Sequence, residues 1–185
     1  MPLLPYIRPS HDRDILSIRD IYAYYVLNST ASFETNPPDE NEIARRRQDV
    51  LNRSLPYLVA EIDSTVVAYA YAVPYRTRAA YRFTVEDSVY VHPNHLGKGI
   101  GRLLLAALID GCEQAWCRQM IAVIGGQDNA ASVRLHESLG FRRVGVLQSV
   151  GFKLGAWADT LILQRSLGAG DATQPDEPQV SPMVP

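Results

Sequence analysis

A carboxylate, Glu86, lies in the run Phe83-Thr84-Val85-Glu86-Asp87-Ser88-Val89-Tyr90-Val91, which reads as a β-strand from its β-branched and aromatic content. Beyond that run comes a glycine loop, Gly97-Lys98-Gly99-Ile100-Gly101, followed by helical periodicity. Glycines before a helix let the main chain pass close to an anion, with the free N–H groups and the dipole of the first turn directed at it. A carboxylate near an amine can remove its proton as a general base. Together these residues point to group transfer from a phosphate-bearing cofactor. The loop is neither G-x-x-x-x-G-K-[ST] nor the dinucleotide fingerprint G-x-G-x-x-G, whose third glycine would come one residue later. On spacing alone it equally fits a flexible strand–helix connection, and Glu86 a solvent-facing strand carboxylate.

The elements that must position these residues follow from periodicity. Residues 3–8 form a short strand. Asp12 or Asp14 caps a helix carrying Ile15, Ile18, Ile21, Tyr22, Tyr25 and Val26 at helical spacing. That helix ends in the stretch from Asn28 to Phe33, and Pro37-Pro38-Asp39 opens a polar helix reaching about Arg53. Two strands, Tyr57–Ile62 and Val66–Val73, turn at Asp63-Ser64-Thr65. A basic loop, Pro74–Ala80, leads to the strand of Glu86. The helix after the glycine loop runs to about Trp116, with Ile100, Leu103, Leu104, Ala107 and Leu108 on one stripe. Met120–Ile124 is a strand suited to burial on both faces. Asp128 or Asn129 caps a helix that ends at Gly140 as a left-handed cap. Strands over about 141–148 and 157–165, joined through Gly151 and Gly155, close the domain. The order β-α-α-β-β-β-α-β-α-β-β gives an α/β or α+β class. From Gly168 the chain is rich in proline and glycine, so 1–167 is read as the domain and 168–185 as a disordered or loosely docked tail.

The chain has 185 residues, enough for one sizeable core, with 46% hydrophobic and 21% charged residues. A net charge of −2 gives no electrostatic case for nucleic acid or an anionic membrane. The cluster Arg45-Arg46-Arg47 is read as a solvated helix face. Cys112 and Cys117, five apart on one predicted helix, should point in different directions, so neither a disulfide nor a metal site is expected. No apolar run spans a bilayer and the first residues lack the charged and apolar regions of a signal peptide, so a cytoplasmic location is expected. His11, His92 and His95 are read as surface residues.

The order of elements and the motifs resemble the GNAT superfamily of acetyl-CoA-dependent N-acetyltransferases, whose pyrophosphate loop reads [QR]-x-x-G-x-[GA]. The matching stretch here is Leu96-Gly97-Lys98-Gly99-Ile100-Gly101, with Leu96 in place of the polar first residue. Three segments, Thr84–Val91, Ser132–Phe141 and Gly151–Trp157, are similar to the phosphinothricin and methionine sulfoximine/sulfone acetyltransferases; the likeness covers about residues 5–167. It implies a mixed, mainly antiparallel sheet flanked by helices, acetyl-CoA as co-substrate, no metal and a homodimer. It further implies that the main chain around Val89, Tyr90 and Val91 meets the pantetheine arm and polarises the thioester carbonyl. Leu96 to Arg102 would hold the pyrophosphate, and Asn129 would meet the pantetheine. Glu86 is the implied base, with Asp87 as runner-up. His136 stands where many superfamily members carry a tyrosine proposed to protonate the leaving thiolate; proton transfer and support of substrate or cofactor both stay open for it.

Asp87 falls on the otherwise apolar face of Val85, Val89 and Val91, and one explanation is a β-bulge that shifts the strand's parity. The loop Tyr75-Arg76-Thr77-Arg78, with Tyr81, resembles the family's substrate loop; physically, its arginines suit a carboxylate and a phosphinate or sulfone oxygen, because guanidinium forks bond oxyanions bidentately. Phe33, Thr84 and Val85 would complete the pocket. The expected reaction is acetyl transfer to the α-amine of a small amino-acid analogue by direct attack in a ternary complex: phosphinothricin, methionine sulfoximine or methionine sulfone. The alternatives are acetylation of protein N-termini or other amines, and a non-catalytic acyl-CoA-binding module.

Overall fold

Small side chains on one face of a central strand and aromatic ones on the other decide how the layers stack. In β3 (Thr65–Pro74), Ala68, Ala70 and Ala72 are fully buried on the face that lets α3 (Ile100–Gln114) approach closely. The opposite face carries Tyr69 and Tyr71, which stack with Tyr57 of β2 (Tyr57–Ile62) beneath α1 (Ile15–Asn28) and α2 (Glu40–Leu51). The structure, a computed structural model, describes residues 5–126 and 129–175. The remaining elements are β1 (Tyr6–Pro9), β4 (Thr84–Val91), β5 (Gln119–Gly125), α4 (Ala130–Ser138), β6 (Arg142–Lys153) and β7 (Ala156–Ser166). They form one seven-stranded sheet in the order β1-β2-β3-β4-β5-β7-β6, antiparallel except for β4 against β5. This is the expected mixed, mainly antiparallel α/β architecture, in the expected element order.

Local signals set most boundaries. Asp39 caps α2 by accepting from the Glu42 N–H at 2.8 Å. The β2–β3 hairpin turns on two residues, Asp63 and Ser64, both with positive φ (48° and 62°). Gly140, at φ 85°, ends α4; its N–H bonds the Glu137 carbonyl and that of Phe141 bonds His136, a Schellman arrangement. The buried face of α3 is Ile100, Leu104, Leu105, Leu108, Ile109 and Cys112, each large aliphatic side chain contributing roughly 1.5–3 kcal/mol. Leu103, expected on that stripe, stands on its exposed shoulder.

Several expectations are corrected. Arg47 is not solvated: its guanidinium is buried and donates to the Ser10 hydroxyl and carbonyl and to Asp12. Arg45 and Arg46 are paired with Glu42, Asp49 and Glu34. Cys112 and Cys117 do not diverge. The helix stops at Gln114, Trp116 takes φ 64°, and the Cys117 N–H returns to the Cys112 carbonyl at 3.0 Å, bringing the two buried thiols into a hydrogen bond. Helix C-terminal geometry, not helix periodicity, governs that pair.

The last two strands are longer than expected, extending through irregularities at Arg143/Gly145 and Leu147/Gly151 to a turn at Leu154-Gly155. Leu3, Leu4 and Asp128 lie outside the described residues, as do 176–185 of the expected tail. Residues 168–175 turn back along the domain, and Arg118 donates to the Gly170 carbonyl, the Thr173 hydroxyl and the Gln174 carbonyl.

Candidate active site

The site begins where two parallel strands part. β4 and β5 pair only from Thr84/Gln119 to Asp87/Ala122, although β4 runs on to Val91 and β5 to Gly125. Beyond Asp87 the two strands no longer pair with each other, although β4 stays on β3 and β5 on β7, and Val123 is 39% exposed in the middle of the sheet. A groove of about 400 Å³ opens in the gap. Its walls include the main chain of Asp87 to Val91, Ala122 to Gly125, the loop of Leu96, Gly97 and Gly99, the first turn of α3 with Ile100, Gly101 and Arg102, and Asn129 and His136.

The hydrogen-bond parity of β4 explains what that gap offers. The Tyr75 N–H bonds the Thr84 carbonyl and the His92 N–H bonds the Val67 carbonyl, bracketing the antiparallel ladder with β3. Alternation then commits Thr84, Glu86, Ser88 and Tyr90 to β3 and turns the N–H and C=O of Val85, Asp87, Val89 and Val91 the other way. Val85 and Asp87 meet β5; Val89 and Val91 face the groove. The Tyr25 hydroxyl of α1 donates to the Val91 carbonyl at 2.6 Å, leaving the Val89 N–H and C=O as the strand edge nearest the split. A ligand arm can add there as a strand would.

At the other end of the groove Gly97 and Gly99 take φ 72° and 77°, conformations that glycine adopts without strain. A Cβ at either would meet open space, so the backbone is bare toward the groove. The N–H groups of Ile100 and Gly101 open α3 with no intrahelical acceptor and are free for an anion, while that of Arg102 bonds the Gly99 carbonyl. Arg102 adds a positive charge, whereas Lys98 turns back to the Asn94 carbonyl. Leu96 is exposed. Asn129 is not the expected side-chain cap of α4; its amide donates to the Gly125 carbonyl across the end of β5. The residues gathered here fit a pyrophosphate at one end and an extended amide arm along β4.

Glu86 and Asp87 project from opposite faces of β4. Glu86 shares the face of Ser88 and Tyr90, beneath α1 and α2, and is half-buried. Burial raises its carboxyl above the ordinary range; the neighbouring Asp87 raises it further and Arg76 opposes both. Asp87 needs no parity shift: β4 runs in unbroken register with β3. It faces α4, and its Oδ2 lies 2.9 Å from His136 Nε2, with both side chains nearly inaccessible (2% and 5% exposed). An acid interrupts the apolar face because a histidine meets it there. Burial pulls the imidazole down, but the Asp87 hydrogen bond and charge and the Ser132 carbonyl outweigh it, so its pKa is raised.

The proposed substrate residues are more scattered. The Phe33 ring packs against Gly125 and Gly151, and a side chain at Gly151 would collide with it. The Arg76 guanidinium sits 4.5 Å over the Tyr75 ring, and Tyr75 meets Tyr81 edge-on. Arg76, Thr77 and Arg78 line a separate cavity of about 660 Å³ with Arg53, Phe83, Val85 and Trp116, not the groove; of these, Arg76 reaches Glu86 electrostatically.

Sequence reading did not assign Tyr25, Ser132 and Leu135 to the groove wall; all three are partly buried helix residues, and nothing in their spacing separates a groove-lining position from a packing one. His92 and His95 are not mere surface residues. His92 caps a turn through the Asn94 N–H, and His95 is part of the groove wall. Among the described residues no cluster of His, Cys, Asp and Glu could hold a metal ion, and no helix is long and apolar enough to cross a membrane.

Comparison with known proteins agrees with this geometry. The acetyltransferase (GNAT) family model matches residues 18–141. A phosphinothricin N-acetyltransferase of Alcaligenes faecalis is 52% identical over 92% of this chain and 86% of its own length. An L-methionine sulfoximine/L-methionine sulfone acetyltransferase of Salmonella typhimurium is 40% identical over 87% and 94%, respectively. The crystal structure of a phosphinothricin acetyltransferase from Sinorhizobium meliloti, in complex with acetyl-CoA, superposes with a TM-score of 0.93 at 45% identity and 97% coverage of both chains. With the split between β4 and β5, the glycine loop and this breadth of similarity in hand, the chain belongs to the GNAT family of acetyltransferases.

Proposed function

We propose that this enzyme transfers the acetyl group of acetyl-CoA to the α-amine of a small amino-acid analogue, with phosphinothricin, methionine sulfoximine and methionine sulfone as the leading substrates. The observation that carries the reading is the placement of a raised, half-buried carboxyl, Glu86, three residues from the free strand edge at Val89. Amino-acid ammonium groups are mostly protonated at neutral pH and cannot attack a thioester. Glu86 removes the proton, and the neutral amine attacks directly in a ternary complex. The Val89 N–H polarises the thioester carbonyl and takes up its developing negative charge. Gly97 to Arg102 bind the pyrophosphate, and Asn129 and the edge of Val89 and Val91 align the pantetheine.

On the substrate side, Phe33 walls the pocket, and Arg76 and Arg78, with Tyr75, Thr77, Tyr81, Thr84 and Val85, attract and orient a carboxylate or phosphinate. In this reading residues 1–167 are the transferase domain and 168–185 a tail, and the enzyme works in the cytoplasm as a detoxifying homodimer. Support for the dimer comes from the β6–β7 hairpin, where Val144, Val146, Val150, Phe152 and Trp157 are each more than half exposed on an edge of the sheet.

A free-thiol release assay with acetyl-CoA and a panel of amines tests the reading. The panel holds phosphinothricin, methionine sulfone, polyamines and short peptides. Turnover with the first two is expected; turnover confined to peptides, or none with any amine, contradicts it.

A further inference from the structure

Asp87 and His136 meet at the floor of the groove, at the last residue pair before β4 and β5 separate. His136 Nδ1 lies 2.7 Å from the Ser132 carbonyl oxygen, which can only accept, so Nδ1 carries a hydrogen. The 2.9 Å contact between Nε2 and Asp87 Oδ2 requires a second proton between them. The pair therefore holds one shared proton in addition to the one fixed on Nδ1. Asp87 Oδ1, by contrast, is buried with no hydrogen-bond partner in the structure. A buried carboxylate oxygen left unpaired is costly, and Asp87 is one of the residues lining the groove.

Among the described residues, the neighbouring elements bring no second charge to the ring. Phe141 packs edge-on against the imidazole, 4.9 Å between centroids. From α3 the Cys112 thiol feels the Asp87 charge, from β4 the adjacent Glu86 faces away, and on α4 itself Glu137 is turned outward to Arg143. Asp87 is thus the charged partner that faces the ring.

We propose that Asp87 is a positioning residue that fixes His136 and its shared proton beside the thioester, so that the pair protonates the departing thiolate of coenzyme A. The inference rests on the acetyl-transfer reading above. As the C–S bond breaks, its electron pair goes to sulfur, and sulfur takes the proton held between Oδ2 and Nε2. The pair is left as the Asp87 carboxylate and an imidazole protonated on Nδ1. The amine loses two protons through Glu86, one before attack and one after; one is released to solvent, and the other reloads the pair by way of solvent. Base and acid then stand on successive residues of one strand, one acting from each face of the sheet.

The test combines kinetics with NMR titration of the His136 ring in wild type, Asp87→Asn and Asp87→Ser. In the variants kcat should fall at least tenfold, with KM for acetyl-CoA and for the amine within about twofold, and the alkaline limb of the kcat profile should move to lower pH. The imidazolium should persist to higher pH in wild type than in either variant. Wild-type rates with an unmoved alkaline limb, or His136 titrating alike in all three proteins, would overturn the proposal. Wild type itself supplies an arm that needs no variant. Binding of coenzyme A should shift the His136 titration more than binding of desulfo-coenzyme A, and equal shifts count against the pair. Absence of thiol release by wild type with every amine would instead overturn the acetyl-transfer reading, an outcome distinct from active wild type with fully active variants.

Discussion

Burial and Asp87 push the Glu86 carboxyl upward, and Arg76 pulls it back, so its working range depends on burial and on two charged neighbours. A carboxyl with a folded-state pKa above its unfolded value binds its proton more tightly when folded, and its ionisation costs stability as pH rises past that range. Glu86→Gln is therefore expected to lower kcat/KM by about 10²–10⁴-fold, the usual worth of a general base, while melting no lower than wild type at neutral pH in a thermal-unfolding measurement. Arg76→Ala removes the opposing charge, so the acid limb of the pH–kcat/KM profile should move to higher pH; a limb that moves down or stays would separate Arg76 from Glu86. Glu86 was legible in the sequence because a charged residue stands out in a strand run. The partnership of Asp87 with His136 was not: 49 residues separate them, and only the packing of α4 on the sheet brings them together. Asp87 looked like an error of alternation because its reason lies on another element.

At the scale of elements, order and type followed from periodicity, caps and turn residues, since each depends on neighbours a few positions away. The β2–β3 turn, the Asp39 cap and the Gly140 cap are all of this kind. The parting of β4 from β5 is not local, and nothing in the alternation of either strand marks where pairing ends. The same limit hid the separate cavity of Arg76 and Arg78; the meeting of Cys112 with Cys117 is local, but it depends on where the helix ends rather than on its period. Gly151 illustrates how distant elements constrain each other. It is bare because the Phe33 ring, from the loop after α1, occupies the space of a side chain there. Gly151→Ala should displace that ring, costing about 1–3 kcal/mol of stability as an overpacking change. It should raise KM for the amine substrate while leaving KM for acetyl-CoA unchanged, and an unaltered amine KM would remove Phe33 from the pocket.

For the whole molecule, the sheet buries its centre well and leaves one flank apolar. Phe152 and Trp157 are 60% and 68% exposed on adjacent strands, a patch a solitary domain would be expected to cover. If a second copy covers it, Val146→Glu combined with Trp157→Glu should convert a dimer to a monomer in sedimentation velocity without unfolding the domain; a wild type that sediments as a monomer would refute the proposed assembly. The account as a whole turns on one residue's charge state during acetyl transfer. Its most direct test is the pH dependence of kcat/KM for thiol release from acetyl-CoA, with phosphinothricin or methionine sulfone as acceptor, in wild type and Glu86→Gln. An acid limb lying above the ordinary carboxyl range in wild type and absent from the much slower variant is the expected result. Wild-type turnover by Glu86→Gln at neutral pH would contradict it.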